Sequence, residues 1–227
     1  MYDLSYTEEN YLKALHHLFL NGVEYDPAFE GTGTNELAEY LEVKPASVTD
    51  MLKRLRIKEL INYQPYKKIS LTDKGRLVGL RVIRKHRLWE CFLSDKLSFS
   101  WDEVHEVAEQ LEHIKSPKLI ERLDHFLGYP EYDPHGDPIP RPDGSMPKVH
   151  TMRLGEGKIG IKYRVVAVKD NSVDFLQYAS QLGLSLNSRL QILEKIPFDH
   201  SLRIMLNNKN ERISGKFASQ VLISEWR

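Results

Sequence analysis

The sequence predicts a mainly α-helical N-terminal part, a winged helix-turn-helix followed by further helices, and then a small C-terminal β-barrel. Three observations lead there. Two short amphipathic stretches flank a tight turn at Glu42-Val43-Lys44. Apolar residues recur at helical spacing up to Leu127. A break rich in proline, Gly128 to Pro147, then separates them from short β-rich runs.

Thr7 is the expected N-cap of the first helix, with Glu8 and Glu9 complementing its positive end and Tyr11, Leu12, Leu15, Leu18 and Phe19 forming one face. Asn21-Gly22 is expected to stop it, and Val23 to Gly33, with Pro27, reads as a loop. Thr34 is expected to cap a short helix bearing Leu37, Ala38 and Leu41. Pro45 suits the first turn of the next, whose stripe is Val48, Met51, Leu52 and Leu55. From Tyr63 to Leu71 two β-like runs flank Pro65-Tyr66-Lys67-Lys68, which predicts a two-stranded wing. Thr72 caps a helix over Asp73 to about Leu97; further helices are expected from Trp101 to Ile114 and from Pro117 to Leu127. Beyond the break, β-rich runs at Tyr163–Val168, Leu190–Leu193, Leu202–Leu206 and Gln220–Ile223 accompany one helix around Val173–Leu182, and a small barrel is the simplest closure.

Composition narrows the function. With 41% hydrophobic and 28% charged residues the chain reads as a globular protein, and no apolar run reaches the roughly 18 to 20 residues of a membrane span. Met1 to Tyr11 has no basic leader and no apolar h-region, so a cytoplasmic location is expected. A single cysteine, Cys91, excludes an internal disulfide framework and any multi-cysteine zinc site. The formal net charge of zero hides blocks of opposite sign: −8 over 1–43, +10 over 44–87, −8 over 88–143 and +6 over 144–227. The +10 block suits a surface that meets phosphates, and the acidic, His-rich block suits cations; solvated helix faces are the plainer alternative.

In a helix-turn-helix the second helix reads the major groove. The candidate DNA-contacting residues are therefore Lys44, Pro45, Ser47, Thr49, Lys53 and Arg54, with Lys67 and Lys68 at the wing tip against the backbone or minor groove. Downstream, His86 and Glu90 share a helical face, and His105, Glu109, Glu112 and His113 fall within an arc of about 100° on another. Facing helices would then offer a thiolate-free set of imidazoles and carboxylates, suited to Mn²⁺ or Fe²⁺ and open also to zinc or cobalt. Any one of these side chains alone would usually be packed or solvated.

The chain resembles the diphtheria-toxin-repressor family of iron- and manganese-dependent regulators. The resemblance rests on Glu9-Asn10-Tyr11-Leu12, Pro45-Ala46-Ser47-Val48-Thr49, Leu71-Thr72-Asp73-Lys74-Gly75, Arg84-Lys85-His86-Arg87-Leu88-Trp89-Glu90, His105 with Glu109-x-x-Glu112-His113, and Gly128-Tyr129-Pro130 before Asp133-Pro134-His135-Gly136. Phe175-Leu176-Gln177-Tyr178 and Leu182-Gly183-Leu184 are similar to the FeoA-like barrel of the longer members. The resemblance implies three domains: 1–73, a winged helix-turn-helix; 74–147, a helical metal-binding and dimerisation domain with a Pro-rich linker; and 148–227, a FeoA-like barrel. It implies a primary metal site of His86, Glu109, Glu112 and His113 with a first-helix ligand at Asn10. A second site would take Glu90, His105, Asp133, His135 and a barrel carboxylate, Asp174 or alternatively Asp170. Two positions depart from parts of the family: Asn10 stands where Asp or Met is common, and Glu109 where iron regulators have Cys and manganese regulators Glu. Asn can ligate through its amide oxygen, and a set of oxygens and nitrogens tilts the preference towards Mn²⁺.

The function so implied is a metal-activated repressor of metal-uptake genes that binds double-stranded operator DNA as a homodimer, with neither a membrane nor a small-molecule substrate as partner. Metal would tie the first helix to the ligand-bearing helices and fix the angle between two reading heads. Trp101, Val104, Leu119, Leu123 and Phe126 are candidates for the dimer contact, with intrachain core as their alternative. Two rivals remain: a metal-independent winged-helix regulator, and a metallohydrolase, which lacks support because the chain has neither His-Glu-x-x-His nor a nucleophile motif.

Overall fold

The computed structural model describes residues 3–25, 28–65, 67–147 and 151–226. Helix α1, Tyr6–Tyr25, starts one residue before Thr7, because Ser5 caps it: Ser5 Oγ accepts from the Glu8 N–H at 3.3 Å and Glu8 Oε2 accepts from the Ser5 N–H at 2.8 Å. The helix also runs through Asn21-Gly22, where a stop was expected, and so keeps its hydrogen bonds to Tyr25. Pro27 lies outside the described residues.

Helices α2, Thr34–Tyr40, and α3, Pro45–Ile57, form the helix-turn-helix. Gly33, not Thr34, is the N-cap of α2, its N–H donating to Glu36 Oε2 at 3.2 Å. The turn between the helices carries Glu42 at φ 54°, and Val43 N–H reaches back to the Ala38 carbonyl at 2.9 Å, so the chain reverses without glycine. Pro45 opens α3 as its fixed φ favours. Leu37, Val48, Leu52 and Leu55 are fully buried and pack with Leu12, Leu15, Leu60 and Ile69 of the same unit.

The wing pairs β1, Ile61–Asn62, with β2, Ser70–Leu71, antiparallel, Ile61 opposite Leu71. Its first strand thus lies ahead of the expected Tyr63, and Tyr66 lies outside the described residues. Helix α4, Asp73–Leu97, follows with the cap anticipated: Thr72 Oγ1 accepts from the Gly75 N–H at 3.0 Å. Thr72 also donates to the Glu59 carbonyl and Lys74 to the Lys58 carbonyl, both at 2.9 Å, which pins the first turn of α4 to the end of α3. Lys58, the C-cap of α3, reaches α1 as well, with Nζ 2.7 Å from Glu8 Oε1.

Helix α5, Val104–Leu111, is shorter at both ends than the expected Trp101–Ile114, leaving Glu112 and His113 in the turn that follows. Helix α6 spans Pro117–Phe126. Val104 and Leu123 are buried within the chain, which gives them the core role of the two considered, whereas Leu119 and Phe126 are exposed.

The C-terminal part is a six-stranded antiparallel sheet: β3 (Met152–Arg153), β4 (Lys162–Val168), β5 (Arg189–Lys195), β6 (Leu202–Leu206), β7 (Lys209–Ile213) and β8 (Val221–Glu225), in the order β3-β8-β4-β5-β6-β7. Among the described residues no pairing joins the outer strands β3 and β7, so the ladder is an open one where a closed barrel was expected. Helices α7, Val173–Gln181, and α8, Gly215–Gln220, cover its core, where Tyr163 is fully buried and its hydroxyl accepts from the Lys158 N–H at 2.7 Å.

By internal contacts the chain forms two units, one of residues 1–86, 110–116 and 140–145, the other of 87–109, 117–139 and 146–227. The helix-turn-helix and wing belong wholly to the first. No described helix is long and apolar enough to cross a membrane.

Candidate metal centre

The second unit gathers most of the ligand-type side chains. Glu90 on α4 is 2% exposed, and its Oε1 lies 3.3 Å from His105 Nδ1 on α5 and 3.8 Å from His135 Nδ1. Glu90, Asp133 and His135 each present a ligand atom within 4.8 Å of the others, and all three are buried. His135 Nε2 is 3.0 Å from the Trp101 carbonyl, which can only accept, so Nε2 carries the proton and Nδ1 is the lone-pair nitrogen of the neutral ring. That Nδ1 is buried without a hydrogen-bond partner. The indole of Trp101 stacks on the ring at 5.7 Å between centroids.

Asp133 and His135 are delivered by a tight loop. Asp133 Oδ1 accepts the N–H groups of His135 at 2.8 Å and Asp137 at 2.9 Å, fixing the carboxylate by its own backbone. Gly136 has φ +87°, and a Cβ there would lie 1.9 Å from the Val166 carbonyl oxygen, so only glycine lets the loop press on β4. The His135 carbonyl then accepts from the Val168 N–H at 3.0 Å.

Protonation governs the electrostatics of this group. Burial, then the neighbouring Asp137 and Glu90, push the Asp133 carboxyl well above its usual range, with Arg87 Nε at 3.4 Å opposing. Hydrogen bonds to Glu109 and Glu90 lift His105 to about 9. An unpartnered imidazole nitrogen facing two buried carboxylates, with a carbonyl fixing its tautomer, fits a divalent ion bound through nitrogen and oxygen. Ligation requires neutral His105 and ionised Asp133, whereas both groups lean towards the protonated form in the metal-free chain. Binding of Mn²⁺ near pH 7 is therefore expected to release protons and to tighten as pH rises towards about 9. Calorimetry in buffers of different ionisation enthalpy checks this; an enthalpy independent of buffer would exclude both residues.

The other expected residues are placed differently. In the first unit, His86 Nδ1 lies 2.6 Å from Glu112 Oε2, but Lys13 Nζ, from α1, lies 2.8 Å from the same oxygen and 3.5 Å from the same nitrogen. Burial opposes ionisation of Glu112, yet the His86 hydrogen bond and the Lys13 charge outweigh it and hold the carboxyl below its usual range. His113 Nδ1 meets Glu9 Oε2 at 2.7 Å, and Lys85 is 3.5 Å from Glu9. Asn10, one residue on, is exposed, and the α1 side chains at this cluster are Glu9 and Lys13. Glu109 belongs to the second unit and pairs with His105 at 3.4 Å. Asp174 is exposed in the first turn of α7 and stands outside the Glu90 group, and Asp170 accepts from Ser172 N–H at 2.9 Å. Sequence reasoning passed over Glu9 and Lys13; the latter is the only Lys or Arg among the first 43 residues.

Of the DNA-contact candidates, Lys44, Pro45, Ser47, Lys53, Arg54, Lys67 and Lys68 are exposed. Thr49 is half-buried, its hydroxyl donating to the Pro45 carbonyl at 3.0 Å, and Lys53 pairs with exposed Asp50 at 3.1 Å.

Three family models match successive stretches of the chain. Residues 3–69 match the family model "Iron dependent repressor, N-terminal DNA binding domain", 72–141 "Iron dependent repressor, metal binding and dimerisation domain", and 152–225 "FeoA domain". The iron-dependent repressor IdeR of Mycobacterium leprae is 29% identical over 238 residues, covering 99% of this chain and 100% of that protein. A manganese-dependent transcriptional repressor, solved in complex with manganese, is 30% identical with a TM-score of 0.81, covering 96% of this chain and 100% of that one. ScaR with bound Cd²⁺ is 30% identical with a TM-score of 0.76, covering 96% of this chain and 99% of that one. Similarity over the whole length, in sequence and in fold, makes this chain a member of the iron-dependent repressor family.

Proposed function

We propose that the chain is a transcriptional repressor that binds operator DNA as a homodimer when a divalent transition metal, Mn²⁺ or Fe²⁺, is held by Glu90, His105, Asp133 and His135. The observation that carries the reading is the buried, unpartnered Nδ1 of His135 beside Glu90 and Asp133. A bound ion would accept the His135 lone pair and stand beside these two carboxylates. The residues themselves do the rest: the Trp101 carbonyl sets the His135 tautomer, the Asp133 turn holds its carboxylate, and α4 links Glu90 by one continuous helix to the wing and α3. The exposed start of α3 supports major-groove entry, and exposed Leu119 and Phe126 on α6 support the dimer contact. The boundaries 1–73, 74–147 and 148–227 are proposed as the functional domains.

Anisotropy titrations on native promoter fragments test the reading: tight binding with Mn²⁺ or Fe²⁺ and weak binding with chelator are expected. Equal affinity in both would overturn it in favour of a metal-independent regulator. Lys53→Ala is expected to weaken binding to all sequences alike and to lower the slope of log K against log salt by about 1. Salt titrations of both proteins on two unrelated fragments check this.

A further inference from the structure

We infer that Lys13 is a built-in cation that takes the place of a divalent ion between His86 and Glu112, so that this chain carries one regulatory metal site, not two. The inference rests on the repressor reading above and goes beyond it. Lys13 Nζ stands 2.8 Å from Glu112 Oε2 and 3.5 Å from His86 Nδ1, the two atoms that would otherwise share an ion. The contact is secluded, with the lysine side chain 14% exposed and that of Glu112 1%.

Both carboxylates of this first-unit cluster already have a cationic neighbour. Glu112 is met by Lys13 and Glu9 by Lys85 and His113, so two carboxylates face two ammonium groups. A divalent ion reaching His86 and Glu112 would sit beside an ammonium that cannot leave without breaking its own ion pair. The Glu90 group differs: His105 stands near Glu90 and Arg87 near Asp133, but the buried Nδ1 of His135 has no hydrogen-bond partner. Position reinforces the contrast. Lys13 follows Glu9 by one helical turn, on the same face of α1, so a single helix supplies both an anion to His113 and a cation to Glu112. The ammonium thereby ties α1 to α4 and to the turn after α5 without metal, and metal dependence rests on the second-unit group.

The test is the number of ions bound by the full-length protein, measured with Mn²⁺ and with Zn²⁺ by equilibrium dialysis and elemental analysis. The wild type is expected to bind one ion per chain, Glu112→Gln also one, and Glu90→Gln none. Lys13→Glu, which replaces the cation with a further carboxylate, is expected to raise the count to two. Two ions in the wild type, one of them lost in Glu112→Gln, would overturn the inference, and this comparison needs no lysine variant to fold. If the wild type binds no ion and its DNA affinity ignores chelator, it is the repressor reading that fails; one site with an unaltered count in well-folded Lys13→Glu contradicts the lysine's role alone.

Discussion

Glu90→Gln is expected to lower Mn²⁺ affinity by at least about 100-fold, the upper end of what even outer-sphere partners of a metal site contribute, and to leave DNA binding at its chelator level. The substitution keeps shape and hydrogen-bonding capacity but removes one negative charge from a fully packed position, 2% exposed, where His105 and His135 both face the carboxylate. Folding should survive it. The amide oxygen can still accept from His105, and loss of the charge relieves the repulsion that helps to push Asp133 up. The weakened His105 contact offsets that relief, so the melting temperature in chelator should stay close to that of the wild type, while the gain on adding Mn²⁺ disappears. Titration against a competing chelator, with thermal melts in both conditions, separates the two effects. Unchanged Mn²⁺ affinity would remove Glu90 from the site.

Gly136→Ala is the second large effect. Its methyl group would meet the Val166 carbonyl oxygen at 1.9 Å and Ala167 Cα at 2.6 Å, both backbone atoms of a central strand, while φ +87° adds intrinsic strain. Neither can yield as a side-chain end would. The loop must lift, breaking the His135–Val168 hydrogen bond and moving Asp133 and His135 together. The expected cost is on the order of 3 kcal/mol of stability, combining overpacking with backbone strain, with a loss of metal affinity of roughly tenfold or more, as for misplaced ligand supports. Gly128→Ala is the control, since φ there is +75° but nothing lies within 4 Å of the added methyl; it should cost only about 1 kcal/mol and leave metal affinity alone. Equal effects from the two would contradict the clash.

The helices that place these residues were legible because each carries its own local signal. Pro45 opens α3 and Thr72 caps α4 where the sequence places them, and α4 ends at Leu97 as its apolar periodicity requires. Misreadings arose where two local signals competed. Ser5-x-x-Glu8 outranks Thr7 as a cap because it satisfies two backbone groups at once, and α1 runs through Asn21-Gly22 to Tyr25. Strand β7 went unseen because Lys209–Ile213 is an exposed edge, with only Ile213 buried, and leaves no apolar alternation to detect. In the same way, ligand-type spacing singled out Glu90 and His105, and the family resemblance added Asp133 and His135, but a lysine is not a ligand type. Only its isolation in an acidic segment hinted that Lys13 had a partner.

The two adjacent glutamates of α1 have a mechanical corollary. Glu8 grips Lys58 at the end of α3, and Glu9 grips His113, about 100° around the same turn. Spinning the helix on its axis to ease one grip stretches the other, so this turn behaves as a keyed shaft. A displacement of the His113 imidazole would thus act on the same turn of α1 that holds the end of α3.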